Sequence, residues 1–185
     1  MTLANLATSA AEDLRAGCAA VSEAEFSALI EAIATARRIV AYGCGREGLM
    51  MRALAMRLYH LGCDVHMQGD MSCPPLGDGD LLLISSGPGR LSTVAALIGQ
   101  ARAAGAKVAC ITAEPLGPDP QASDLCLVIP AQTMARDQSA PTSVLPMGSV
   151  FEGAMFLIFE LLVLALRPRL GETLQTMRAR HTNLE

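Results

Sequence analysis

Twice in this chain a short apolar run ends in a glycine-rich turn that opens a helix-patterned segment. Residues 38–42 lead into Gly43-Cys44-Gly45-Arg46-Glu47-Gly48. Residues 81–85 lead into Ser86-Gly87-Pro88-Gly89-Arg90. A strand that turns into a helix pairs next with a parallel strand, because the helix carries the chain back to the starting edge. The pattern therefore limits the chain to an α/β architecture. It also places both turns at the carboxyl ends of strands, where backbone N–H groups face outward and can meet an anion.

The rest of the chain fits that frame. Leu3, Leu6, Ala10, Leu14 and Cys18 recur at helical spacing, as do Phe26, Leu29, Ile30 and Ile33. Ser22 with Glu25 reads as a capping box for the second of these helices. Strands are predicted at 38–42, 64–67, 81–85, 107–112 and 125–129. Helices are predicted at 49–61, 91–104, 148–167 and 171–180, with Pro168 ending or kinking the third. Residues 115–120 are a broken loop or short helix. Residues 131–145 are polar and long for a structureless loop, which points to function. Strands alternating with helices give a three-layer αβα sandwich with a five-stranded parallel sheet. One domain spans 1–185: N-terminal helices at 1–36, the αβα core at 37–130 and C-terminal helices at 146–185.

Composition narrows the partners. A net charge of −4 argues against a nucleic-acid surface, which needs a basic stripe. The first twenty residues lack the basic start and apolar core of a signal peptide. The apolar run 153–166 is short for a membrane span and is flanked or interrupted by Glu152 and Glu160, so a buried helix is expected and no membrane. Its face of Phe156, Leu157, Phe159, Leu161 and Leu164 exceeds what one small sheet needs, which predicts a homo-oligomer. None of the 6 cysteines has metal-ligand or CxxC spacing. They read as reduced thiols of a cytoplasmic protein. Cys44 stands apart because it lies inside a glycine turn.

The candidate site gathers at the two turns. Gly45 and its flanking glycines bring backbone close to a ligand, and Arg46 can pair with an anion. On its own Gly-x-Gly-x-x-Gly also fits a dinucleotide site, but Asp64 starts the second strand instead of ending it. Ser85, Ser86, Gly87 and Gly89 form the second cradle, with Arg90 beside them and Thr93 in the first turn of the next helix. Glu152 is a carboxylate in an apolar helix. Desolvation there raises the pKa of a carboxylate and suits it to move protons. His181 in the tail and His60 at a helix end are the imidazoles available to assist. An anion cradle with an acid/base pair indicates an enzyme acting on a small anionic substrate.

The chain resembles the 6-phospho-3-hexuloisomerases, small proteins made of one sugar-isomerase (SIS) domain. The resemblance covers nearly the whole length. It is carried by Gly43-Cys44-Gly45-Arg46, by 55–62, by Gly77-Asp78-Gly79-Asp80, by Gly105-Ala106-Lys107-Val108, by Pro146-Met147-Gly148 with Phe151-Glu152, and by Arg180-His181 with Asn183-Leu184. It implies a flavodoxin-like sheet and a homodimer or homotetramer. It implies conversion of 3-hexulose 6-phosphate to fructose 6-phosphate in the ribulose monophosphate route, with neither metal nor organic cofactor. Glu152 would be the base and His181 the acid or hydrogen-bond donor, in a site between subunits where His60 or His181 acts on a neighbour's substrate. The chain departs from the family at Glu47, where a small hydroxyl residue is usual, and at Pro88 and Leu91, where the second turn usually carries hydroxyls. Two further readings stay open: the same chemistry on a non-phosphorylated or sulfonated sugar, and a non-catalytic sugar-binding module.

Overall fold

The computed structural model describes residues 2–136 and 143–184. Part of the polar segment 131–145 thus lies outside the described residues. Elements follow in the order α1 (Leu3–Ala19), α2 (Glu23–Thr35), β1 (Ile39–Tyr42), α3 (Gly45–His60), β2 (Val65–Met67), β3 (Leu81–Ser85), α4 (Ser92–Ala103), β4 (Lys107–Thr112), α5 (Pro118–Gln121), β5 (Leu125–Val128), a 3₁₀ turn (Met134–Arg136), α6 (Ser149–Arg169) and α7 (Leu174–Ala179). The five predicted strands are all present, trimmed by no more than a residue at either end. They form one parallel sheet in the order β2-β1-β3-β4-β5.

Alternation along the strands divides the core. Ile39, Ala41, Leu81, Leu83, Ala109 and Ile111 face the layer built from α2, α3 and α6. Val40, Leu82, Ile84, Val108 and Cys110 face α4. β3 is buried along its whole length because both of its faces are covered. Phe151, Leu54, Leu58 and Leu162 fill the first layer. Burying each such side chain contributes roughly 2 kcal/mol.

Three expectations need adjustment. α3 begins at Gly45, four residues early, because the chain enters the helix as soon as the glycine at φ +55° has turned it. Glu47 therefore belongs to the helix's first turn. Ser22 does cap α2 by accepting from the Glu25 N–H, but Glu25 does not return the bond. Its carboxylate instead accepts the Val128 N–H of edge strand β5 at 2.8 Å. α6 runs 21 residues and is long and apolar enough to cross a membrane, contrary to the shorter span expected from sequence. Nine of its residues are nevertheless buried, against α1, α2, α3 and the sheet, so it is a core helix.

In this strand order the chain steps from β1 out to β2 and then back past β1 to β3. The carboxyl ends of β1 and β3 thus flank the point where the winding reverses, which is where open parallel sheets leave a crevice. Both glycine turns end there. At the opposite edge, the Gly77–Asp80 motif has a structural role. Buried Asp80 accepts the Gly77 N–H and the Arg37 guanidinium, each at 2.8 Å.

Candidate active site

The turn after β1 is held tight by its own backbone. A Cβ on Gly48 would lie 2.5 Å from the Gly43 carbonyl oxygen, so the last glycine of the turn packs against the turn itself. This brings the first turn of α3 across the crevice to the end of β3. There the Glu47 carboxylate accepts the Ser85 hydroxyl in a short hydrogen bond and the Gly87 N–H at 2.9 Å. Burial pushes this carboxyl above its ordinary pKa, the two hydrogen bonds pull it back, and the negative charge of Glu152 pushes it further up.

Glu152 sits in the first turn of α6, where a helix N-terminus favours a carboxylate. Its side chain is 12% exposed, and Oε2 lies 3.0 Å from Arg46 Nε. That contact is an ion pair without hydrogen-bond alignment, so the buried Oε2 has no hydrogen bond among the described residues. Arg46 also donates from a terminal nitrogen to Ser149 Oγ at 3.0 Å, tying the first turn of α3 to the first turn of α6. Met147, in the Pro-Met-Gly entry to α6, adopts φ 56°, a conformation unfavourable for a side-chain-bearing residue. Its carbonyl accepts from Gln132 Nε2 at 3.2 Å. The signature thus sets the direction in which α6, and Glu152 with it, leaves the loop.

The second half of the β3–α4 turn is organised by Asp119, which the sequence reading did not single out. This buried carboxylate, on short helix α5, accepts the Ser86 hydroxyl at 2.6 Å and the Leu91 N–H at 2.8 Å. Ser86, a candidate to meet ligand, has its hydroxyl bonded to Asp119 in this structure. The Gly89 N–H closes the turn on the Ser86 carbonyl at 2.9 Å. Arg90 is exposed beside it. Thr93 faces the Tyr42 hydroxyl, which also lies 3.4 Å from Cys44 Sγ. In sequence Asp119 shows only as an acid flanked by two prolines, which does not mark a role for it. Its partner could not be known before the fold was.

The histidines form a separate pair. His60 is buried at the last residue of α3, and its ring centroid lies 5.3 Å from that of exposed His181. Arg180 fixes the tail there by donating to the His60 carbonyl at 2.9 Å and to both oxygens of Glu172. At a rise of about 1.5 Å per residue, thirteen helical residues put His60 roughly 20 Å from Glu47. α6 runs alongside α3 in the same direction, with Arg46 against Glu152 and Arg57 against Glu160. Within one chain the imidazoles therefore stand well away from Glu152. The structure brings together Arg46, Glu47, Ser85, Gly87 and Glu152, and separately His60 and His181.

With that geometry in hand, relatives are informative. The SIS domain family matches residues 32–157. A 3-hexulose-6-phosphate isomerase of Bacillus subtilis (strain 168) is 32% identical over 173 residues, covering 94% of each chain. One from Mycobacterium gastri is 35% identical, covering 90% of this chain and 83% of that one. A hypothetical protein of Methanococcus jannaschii, whose crystal structure was taken to infer 3-hexulose-6-phosphate isomerase function, superposes with a TM-score of 0.78 at 28% identity, over 88% of this chain and 87% of that one. The chain belongs to the SIS domain family, in the branch that holds the 3-hexulose-6-phosphate isomerases.

Proposed function

We propose that the protein isomerises 3-hexulose 6-phosphate to fructose 6-phosphate through an enediol(ate), as the second step of the ribulose monophosphate route in the cytoplasm. The observation that carries the reading is the Glu152 carboxylate, sheltered at a helix N-terminus with one oxygen lacking a hydrogen bond among the described residues. That oxygen pairs with the Arg46 guanidinium at 3.0 Å, and releasing this pair as substrate enters turns it to a C–H proton. Glu152 removes the proton from C2, the electron pair forms the C2–C3 double bond, and the C3 carbonyl oxygen becomes an enediolate oxygen. Returning the proton to C3 and moving a hydroxyl proton from O2 to O3 leaves the carbonyl at C2. The scheme needs no redox partner and no cofactor.

The oxygens need a donor near Glu152. His181 and His60 are the candidates, and their distance from Glu152 within one chain favours delivery by a second copy. Exposed Phe156, Leu157, Leu161 and Leu164 on α6 supply an apolar face for that copy in a homodimer or homotetramer. Arg46 and Arg90 are the cations at hand for the substrate's phosphate, with Gly45, Gly87, Gly89 and Thr93 around them.

Turnover of 3-hexulose 6-phosphate by the purified protein, alongside Glu152→Gln, tests the reading. Wild-type turnover reduced about 10²–10⁴-fold in the variant is expected for loss of a general base. Folded wild-type protein that does not convert this substrate overturns it. A second reading, the same chemistry on a non-phosphorylated or sulfonated sugar, is favoured by one observation: Glu47 already holds the Ser85 and Gly87 donors.

A further inference from the structure

We propose that Glu47 is an internal competitor for the substrate's anionic end, filling the β3–α4 cradle with the protein's own carboxylate and thereby setting how strongly the site accepts a phosphate. The identity of the phosphorylated substrate rests on the isomerase reading above; the occupancy of the cradle does not.

The polar groups of residues 85–91 carry the argument. Ser85 Oγ and the Gly87 N–H both serve Glu47. Ser86 Oγ and the Leu91 N–H both serve Asp119. The Ser86 N–H is bonded to the Ile111 carbonyl and the Gly89 N–H to the Ser86 carbonyl, each at 2.9 Å. Pro88 has no N–H to give. A turn of this kind attracts anions because it presents unsatisfied donors. Here the six donors just named are already engaged, two of them by a carboxylate that is itself mostly buried.

The placement is specific. Glu47 Oε1 lies 2.5 Å from the point where a Cβ on Gly87 would stand, so the carboxylate rests on the bare backbone that an incoming ligand would need. The Phe151 ring borders the same spot at 2.9 Å. Glu152 adds a second negative charge facing Glu47. A phosphate entering the cradle must therefore displace Glu47 or bind beside it. Two unit charges of like sign about 4 Å apart at an effective dielectric near 20 weaken binding on the order of a thousandfold. Arg46 and exposed Arg90 offset part of that.

Substituting Glu47→Ser removes the competitor and leaves a small hydroxyl; Glu47→Gln keeps the shape and removes the charge. The probe is inorganic phosphate, read by thermal unfolding of the full chain. About 10 mM phosphate should leave the wild-type midpoint unmoved and raise that of Glu47→Ser by about 2–4 °C. Glu47→Gln should respond in the same direction, and it carries the test if circular dichroism shows the serine variant unfolded. With 3-hexulose 6-phosphate as substrate, the KM of Glu47→Ser should fall at least about tenfold. Stabilisation of the wild type by phosphate equal to that of both variants overturns the inference, as does a KM that rises. A phosphate response confined to the variants, with no turnover by any of the proteins, upholds it and overturns the isomerase reading. Turnover by a wild type that phosphate stabilises fully does the reverse.

Discussion

Arg46 Nε stands 3.0 Å from Glu152 Oε2, and this contact joins the first turns of two helices that the sequence separates by most of the domain. It places a permanent cation beside the proposed base and at the mouth of the crevice. The same guanidinium holds Ser149, so the orientation of both helix ends depends on it. Arg46→Ala should lower kcat/KM by about 10–100-fold, the range of a charge-assisted hydrogen bond worth about 1.5–3 kcal/mol. Because Arg46 is largely exposed, the unfolding midpoint should change little. Steady-state kinetics with 3-hexulose 6-phosphate, paired with a thermal melt, separates the two effects.

Glu47 makes stability depend on pH in a direction opposite to that of most carboxylates. Burial, the largest influence, raises its folded pKa above the unfolded value. The folded state therefore holds the proton more tightly than the unfolded chain does. The resulting stabilisation is complete below the unfolded pKa and is lost as pH rises through the folded one. Glu47→Gln cannot ionise. Its midpoint relative to wild type should therefore climb as pH is raised from acid to neutral, a trend that melts of the two proteins across that range would reveal. A flat difference would show that Glu47 titrates alike in both states.

The tail obeys the opposite sign. Arg180 and Thr176 hold the Glu172 carboxyl down to about 2, so the pair that docks His181 persists above the unfolded carboxylate pKa near 4.5 and weakens as pH falls toward 2. Arg180→Gln should detach the tail at every pH, since it removes the bonds to Glu172 and to the His60 carbonyl. The expected readout is faster amide exchange over residues 174–184, together with reduced turnover if His181 serves the reaction. Unchanged exchange would show that α7 is held by Met177 and the core alone.

Gly117 tests whether Asp119 must sit where it does. A Cβ there would meet the Gly89 carbonyl oxygen at 2.4 Å and its Cα at 2.7 Å, both backbone atoms of the β3–α4 turn. Its own φ of −67° suits alanine, so any penalty comes from the contact and not from the conformation. Gly117→Ala should cost about 1–3 kcal/mol, the range for forced overpacking, measured by urea unfolding. It should also move Asp119 off Ser86 and Leu91 and loosen the β3–α4 turn.

How much of this could be read from the residues differs by level. The strands were legible because β1, β3 and β4 are continuous apolar runs between turn signals, and β3 in particular had no polar face to confuse its pattern. The start of α3 was not, since Gly45 and Arg46 look like loop until one sees that Gly48 closes on Gly43. Glu152 could be picked out as a carboxylate in an apolar helix. Asp119 could not, because its importance lies in Ser86 and Leu91, which reach it only through the fold. The distance from His60 to Glu152 was hidden for a related reason. Helix length converts sequence separation into space, and α3 carries His60 to the far end of the core.

That separation leads to a test of subunit sharing. If the imidazole comes from a second copy, each site combines Glu152 of one chain with His181 of the other. Glu152→Gln and His181→Ala should then each be inactive as pure proteins. Unfolded together and refolded as a mixture, half of the dimers would pair one chain of each kind, and one of the two sites in such a dimer would be intact. About a quarter of wild-type activity should return. Mixing without subunit exchange should restore none, which controls for contamination. If every site is built within one chain, no mixture recovers activity. Leu164→Glu provides the complementary control, because an acid on the exposed apolar face of α6 should shift sedimentation toward monomer and abolish the rescue along with the activity.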